Sequence, residues 1–160
     1  MVPDNRMQRE FIIRQLRYRG LRITNQRLAI IDALVEKERL HPGVYLIHKE
    51  AKKRCRSLSL SSVYATIHEF SRCGIIKMLQ FDGVENRCES DLEDHINLVC
   101  DVCREIIDYK LPMAIKQREV SRKTGFTVTN NRLECYGYCR KCKKDKPNSI
   151  VREGSRNARL

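Results

Sequence analysis

The sequence predicts an α+β chain in two parts: a helical front half closed by a β-hairpin, and a smaller α/β segment built around four cysteines. Three observations carry that expectation. Apolar residues recur at three- and four-residue spacing in four stretches before residue 75. Two short apolar runs then flank the turn signal Asp82-Gly83. Finally, the pairs Cys100/Cys103 and Cys139/Cys142 repeat one two-residue gap, with 35 residues between them. The expected divisions are residues 1–87, residues 88–142 and a tail, 143–160, whose Lys, Arg, Ser, Asn and Gly content without periodicity predicts disorder.

The elements follow in chain order. "REFIIRQLRYRG" places Phe11, Ile12 and Leu16 on one helix face and stops at Gly20. In "ITNQRLAIIDALVEK", Thr24 is a good N-cap and Leu28, Ile31 and Leu34 form an apolar stripe. "HPGVYLIHKEAKKR" enters its helix at a proline and carries Val44, Leu46 and Ile47. In "SLSSVYATIHEFSRCG", Ser59 caps, Leu60, Val63, Ile67 and Phe70 point inward, and Gly74 ends the helix in the left-handed region. "GIIKMLQFDGVENRCE" reads as two short strands around a turn. Helices followed by a hairpin make a winged helix, a relative of helix-turn-helix. Behind it, "EIIDYKL" reads as a strand, "MAIKQREVSRKT" as a helix and "FTVTNNRLECYGYC" as alternating strand with Gly137 at the turn.

Charge is segregated along this order. Residues 1–80 hold 16 Lys/Arg against 7 Asp/Glu, a net of +9, whereas residues 81–137 hold 8 against 11, a net of −3. A basic front half ahead of a mildly acidic middle predicts that the front faces a polyanion. The outward side of the fourth helix agrees. It presents Ser61, Ser62, Tyr64, Ala65 and His68, short or flat side chains without an acid, suited to base edges and thymine methyl groups in a major groove.

The cysteine pairs predict metal. A two-residue gap turns both sulfurs of a knuckle toward one point, and two knuckles give the tetrahedral, all-sulfur site that Zn²⁺ prefers. Four protein ligands leave no position for substrate, so this zinc is expected to be structural. Cys55, Cys73, Cys88 and Cys135 read as small buried apolar residues or bystanders. No general base sits beside a nucleophile and no glycine loop cradles phosphate, so no enzyme is expected. There is no apolar run of about 18 residues and no signal-type h-region. The expectation is a cytoplasmic protein with no membrane partner and no small-molecule substrate beyond a metal ion.

The stretches "GLRITNQR", "LSSVYATI", "DHINLVCDVC", "EIIDY" and "LECYGYCRKC" together resemble the ferric uptake regulator family of metal-responsive transcription factors, including its peroxide-sensing branch, over roughly residues 10–142. The resemblance implies an N-terminal winged helix, a C-terminal α/β dimerisation domain, and a homodimer on an inverted-repeat operator in double-stranded DNA, most often as a repressor. It assigns the four cysteines to structural zinc. It sets Tyr64 against operator bases and Arg22 in the minor groove, where a guanidinium suits a narrow negative channel. Ala65 departs from relatives that carry arginine there.

The same resemblance implies a regulatory Fe²⁺, Mn²⁺ or Zn²⁺ held by His41, Glu89, His95, Asn97 and Asp108. Imidazole with carboxylate is a borderline-hard set suited to Fe²⁺ or Mn²⁺. Asn97 departs from the family's histidine. The site is weakened, or Asn97 is a weak oxygen ligand, or Cys88 substitutes, although strand alternation turns Cys88 away from Glu89. A further family site lacks its histidines at Asp94 and Ile96 and is expected to be absent. Asp108 resembles the peroxide-sensing branch, in which His41 and His95 would be oxidised, while Glu89 resembles iron sensors. Two rivals remain: a zinc-uptake sensor of the same family, and a zinc-ribbon RNA-binding protein, for which aromatic stacking residues are sparse.

Overall fold

The computed structural model describes residues 5–81, 85–93, 95–110, 117–128 and 133–145. Two compact units emerge, Met1–Glu93 and Asp94–Leu160. The expected division after residue 87 falls inside a strand, Arg87–Glu89, whose pairing holds it to the first unit. Residues 146–160, most of the expected tail, lie outside the described residues.

The first unit carries α1 (Asn5–Tyr18), α2 (Asn25–Glu36), a 3₁₀ turn (Glu38–Leu40), α3 (Val44–Ala51) and α4 (Leu60–Arg72), then β1 (Lys77–Leu79) and β2 (Arg87–Glu89). The helix starts follow local chemistry. Thr24 Oγ1 accepts the Arg27 N–H at 3.3 Å, and Ser59 Oγ accepts the Ser62 N–H at 3.1 Å. α4 ends as its glycine requires: Gly74 sits at φ +65°, its N–H donates to Ser71 C=O, and the Ile75 N–H donates to Phe70 C=O. α1 ends the same way around Gly20, φ +68°.

One core unites the four helices. Ile12, Leu16, Ile30, Ile31, Leu34, Ile47, Val63, Ile67 and Phe70 are all buried in it, joined by Ile75, Ile76 and Cys88 of the hairpin region. Phe11, expected on the inner face of α1, is 38 % exposed instead. The buried stripe runs Gln8, Ile12, Ile13 and Leu16, so Phe11 lies at the edge of the helix face. β1 and β2 pair antiparallel, Lys77 opposite Glu89 and Leu79 opposite Arg87. The expected turn residues Asp82 and Gly83 lie outside the described residues. The Cys88 N–H donates to Pro42 C=O at 2.9 Å, and Gly43 bridges to Arg87, which pins the entry of α3 to β2.

The second unit is a three-stranded sheet of β3 (His95–Cys100), β4 (Ile106–Lys110) and β5 (Glu134–Gly137), with α5 (Gln117–Thr124) between the last two in sequence. The order is β4-β3-β5, β3 antiparallel to β4 and parallel to β5. The architecture is therefore α+β: a helical unit with its hairpin, then a small α/β unit. Among the described residues no helix is long and apolar enough to cross a membrane.

Phe70 is fully buried, so Phe70→Ala should lower the unfolding free energy of the first unit by about 3–5 kcal/mol through lost packing and a cavity. Removing the exposed cap with Thr24→Ala should cost only about 1 kcal/mol. Urea denaturation followed by helical circular dichroism checks both values, and equal losses would contradict the placement of the core.

Candidate metal centres and nucleic-acid face

The four-cysteine centre belongs wholly to the second unit. Cys100 closes β3, and the chain reverses through Arg104, which sits in the left-handed region at φ 58° with its N–H on Cys100 C=O. Returning from β5, the chain places Cys139 and Cys142 around a second short turn, closed by the Lys143 N–H on Cys139 C=O. All four sulfurs lie within 4.8 Å of one another, and Cys103 Sγ stands 3.7 Å from Cys139 Sγ. Sulfurs about 2.3 Å from one tetrahedral ion are about 3.8 Å apart. The spacing fits zinc and is too long for disulfides.

The electrostatics point the same way. Amides of Cys103, Cys139 and Val102 aimed at Cys100 Sγ pull that thiol down to about 6. The Cys103 sulfur, followed by partial burial, pushes Cys142 up to about 12. Four sulfurs this close cannot all be anionic by themselves, and a dication removes that conflict. In the sheet β4 and β5 are separated by β3, and the cysteines tie the end of β3 to the chain leaving β5.

The candidate regulatory donors fall into two groups. In the first unit, the 3₁₀ turn delivers His41 with a left-handed backbone, φ 44° and ψ 70°, and β2 delivers Glu89. Both are buried, and His41 Nε2 stands 3.7 Å from Glu89 Oε1. In the second unit, strand register sets Asn97 directly opposite Asp108, with His95 on the same face of β3. His95 Nε2 stands 3.9 Å from Asp108 Oδ1. Both separations exceed a hydrogen bond and are a few tenths of an ångström wider than the roughly 3.0–3.4 Å between adjacent ligands each about 2.1 Å from one ion. Keeping a carboxylate as buried as Glu89 is costly unless its charge is matched. An imidazole matches it only when protonated, whereas a divalent cation matches it at neutral pH.

Cys88 lies between these donors in sequence but faces the first unit's core, its Sγ 3.6 Å from Met78 Sδ. Burial, then the charge of Glu85, pushes its thiol up to about 12, so it is a poor thiolate donor at neutral pH. Ile96 of the expected-absent further site lies on the opposite sheet face from His95, paired with Tyr109, and Asp94 lies outside the described residues.

The candidate DNA face is an exposed side of α4. Ser61, Tyr64, Ala65 and His68 are exposed, while Ser62 is half-buried with its hydroxyl 2.8 Å from Ser59 Oγ. Arg22 is exposed on the loop before α2. Its carbonyl accepts from Arg27 Nη1 at 2.8 Å, and Arg27 pairs with Glu69 of α4, so that loop is tied to the helix. Sequence reasoning missed Tyr45. Its ring, 60 % exposed at the start of α3, meets Tyr64 edge-on with centroids 6.4 Å apart. An aromatic where a helix periodicity places the solvent side was the available signal.

Comparison with known proteins agrees with this geometry. The model of the ferric uptake regulator family matches residues 18–136. The peroxide operon regulator of Bacillus subtilis is 32 % identical over 130 residues, covering 81 % of this chain and 89 % of that protein. A solved ferric uptake regulator from Vibrio cholerae is 31 % identical with a TM-score of 0.60, covering 78 % of this chain and 96 % of that one. A zinc-bound manganese uptake regulator is 30 % identical with a TM-score of 0.59, over 80 % and 98 % of the two chains.

Because all four sulfurs are needed to complete the tetrahedron, Cys139→Ser should reduce zinc in anaerobically purified protein from about one ion per chain to near none. It should also unfold the second unit selectively. Elemental quantification with circular dichroism reads both. Full zinc retention would show that the sulfurs do not form one site.

Proposed function

The chain belongs to the ferric uptake regulator family, and from that premise we propose that it is a metal-responsive repressor that binds inverted-repeat operators in double-stranded DNA as a homodimer. The observation that carries the regulatory part is the position of the donors along the chain. Glu89 closes the first unit's last strand, His95 opens the second unit's first, and the unit boundary falls between them at Glu93/Asp94. An ion shared by His41 and Glu89 of one unit and His95, Asn97 and Asp108 of the other would couple their orientation. Metal then favours the DNA-competent arrangement only as far as it binds that arrangement more tightly.

Other features support the partners. The first 80 residues carry the net charge of +9, which favours phosphate contacts. Arg22, Ser61, Ser62, Tyr64 and His68 form the reading side. The second unit shows an apolar sheet face: Ile96 pairs with Tyr109 and Leu98 with Ile107, and Ile107 and Tyr109 are about half exposed. A second copy of the chain would cover it. The four-sulfur zinc leaves no open coordination position for chemistry, in keeping with a regulator and not an enzyme, and a regulator of this kind works in the cytoplasm.

Fe²⁺ or Mn²⁺ suits the regulatory donors best, since Asn97 contributes oxygen where imidazole would favour softer metals. The sensed signal is, in this reading, peroxide. The peroxide operon regulator of Bacillus subtilis matches over most of its length, and Asp108 is the branch-like residue. His41 and His95 are then the residues oxidised.

Two outcomes check this reading. Adding Mn²⁺ to zinc-replete protein should tighten binding to duplexes selected from a random-sequence pool by tenfold or more, about 1.4 kcal/mol. His41→Ala and Asp108→Ala should abolish that response while keeping zinc. Equal affinity with and without Mn²⁺ would refute it. After anaerobic Fe²⁺ loading and peroxide, mass spectrometry should find one added oxygen on His41 or His95. Unmodified histidines would remove the peroxide signal and leave the metal response standing.

A further inference from the structure

A buried polar cluster lies behind the first unit's two donors, and neither the expected ligand set nor the DNA face uses it. Gln8 of α1 is 6 % exposed and Ser90, just past β2, is 5 % exposed. Gln8 Nε2 donates to Ser90 Oγ at 3.1 Å and also to Glu38 Oε1, while Ser90 Oγ donates to Glu38 Oε1 at 3.2 Å. Three segments far apart in sequence thus meet on one carboxylate: residue 8, the 3₁₀ turn at residue 38, and residue 90.

Each segment bears on a donor. Glu38 C=O accepts the His41 N–H at 2.8 Å, so the residue held by Gln8 and Ser90 also closes the turn that carries His41. That turn is strained, since His41 is a non-glycine residue at φ 44°, and such a backbone persists only where its surroundings over-determine it. Ser90 adjoins Glu89 directly. On the other side of Glu89, the Cys88 N–H is fixed on Pro42 C=O, next to His41. Glu89 is therefore anchored through both neighbours, and His41 through its own N–H and through Pro42.

We propose that Gln8, Glu38 and Ser90 are positioning residues that hold His41 and Glu89 ready for a divalent ion and so set the affinity of the regulatory site. The inference rests on the regulatory-metal reading above. Ligands held in place by hydrogen bonds bind without the cost of ordering them, and losing such support lowers metal affinity by about 10–100-fold. A merely structural role for the cluster would change stability and leave metal affinity alone.

The test uses the full-length, zinc-replete protein with Mn²⁺ as probe in isothermal titration calorimetry. Gln8→Met keeps the bulk and removes the donor, and Ser90→Ala removes the hydroxyl. Each should weaken Mn²⁺ binding by about tenfold or more, with zinc content and helical circular dichroism unchanged. Leu16→Val, a buried change two turns further along the same helix, should lower the melting temperature and leave Mn²⁺ affinity as in wild type. Wild-type affinity in both cluster variants, or an equal loss in Leu16→Val, would overturn the inference. Wild-type protein that takes up no second ion would overturn the regulatory-site reading and this inference together.

Discussion

Four sulfurs crowded around one point are the constraint on which the second unit depends. Among its described residues, only Val99, Cys100 and Ile106 are buried apolar side chains. These few buried side chains, among the described residues, offset little of the entropy of ordering the sheet. The first unit, with four helices converging on Phe70 and Ile30, has no such deficit. The zinc-fitting site supplies what the second unit lacks by joining the end of β3 to the chain that leaves β5, so that metal-binding energy becomes folding energy. Ile107 and Tyr109 on the same sheet stay about half exposed.

The first unit solves a different problem. Its reading helix, α4, is fixed by a hydroxyl cap at Ser59, a glycine stop at Gly74, and a stripe of buried residues from Val63 to Phe70. Such a helix presents its other side at a defined angle, and the Arg27–Glu69 pair passes that definition on to the loop bearing Arg22. The same unit carries His41 and Glu89, both buried. The residues that would answer to DNA and two of the metal donors, His41 and Glu89, belong to this one compact unit.

Much of this was legible in the sequence because its causes are local. The caps at Thr24 and Ser59, the glycine stops at positions 20 and 74, and the cysteine pairs each depend on residues a few positions apart. Legibility failed where the cause is long-range. Phe11 fits the helix period of α1, yet which edge of that face is buried depends on α2, which packs against it. The placement of β3 between β4 and β5 follows from a parallel pairing across some 35 residues of chain, and nothing in either strand announces it. The unit boundary sits after Glu93 because β2 owes its place to β1. The Gln8–Glu38–Ser90 cluster joins residues 82 positions apart, and none of the three has a motif of its own. Asn97 is the instructive residue: the sequence shows the departure from histidine, and the sheet adds that Asp108 stands directly opposite.

The central claim is that a single ion bound by four thiolates organises the second unit. X-ray absorption at the zinc K-edge on anaerobically purified protein tests it most directly. The expected result is one zinc per chain, with a first shell fitted by four sulfurs at about 2.3 Å. A shell containing nitrogen or oxygen ligands, or protein that folds and pairs without zinc, would contradict it.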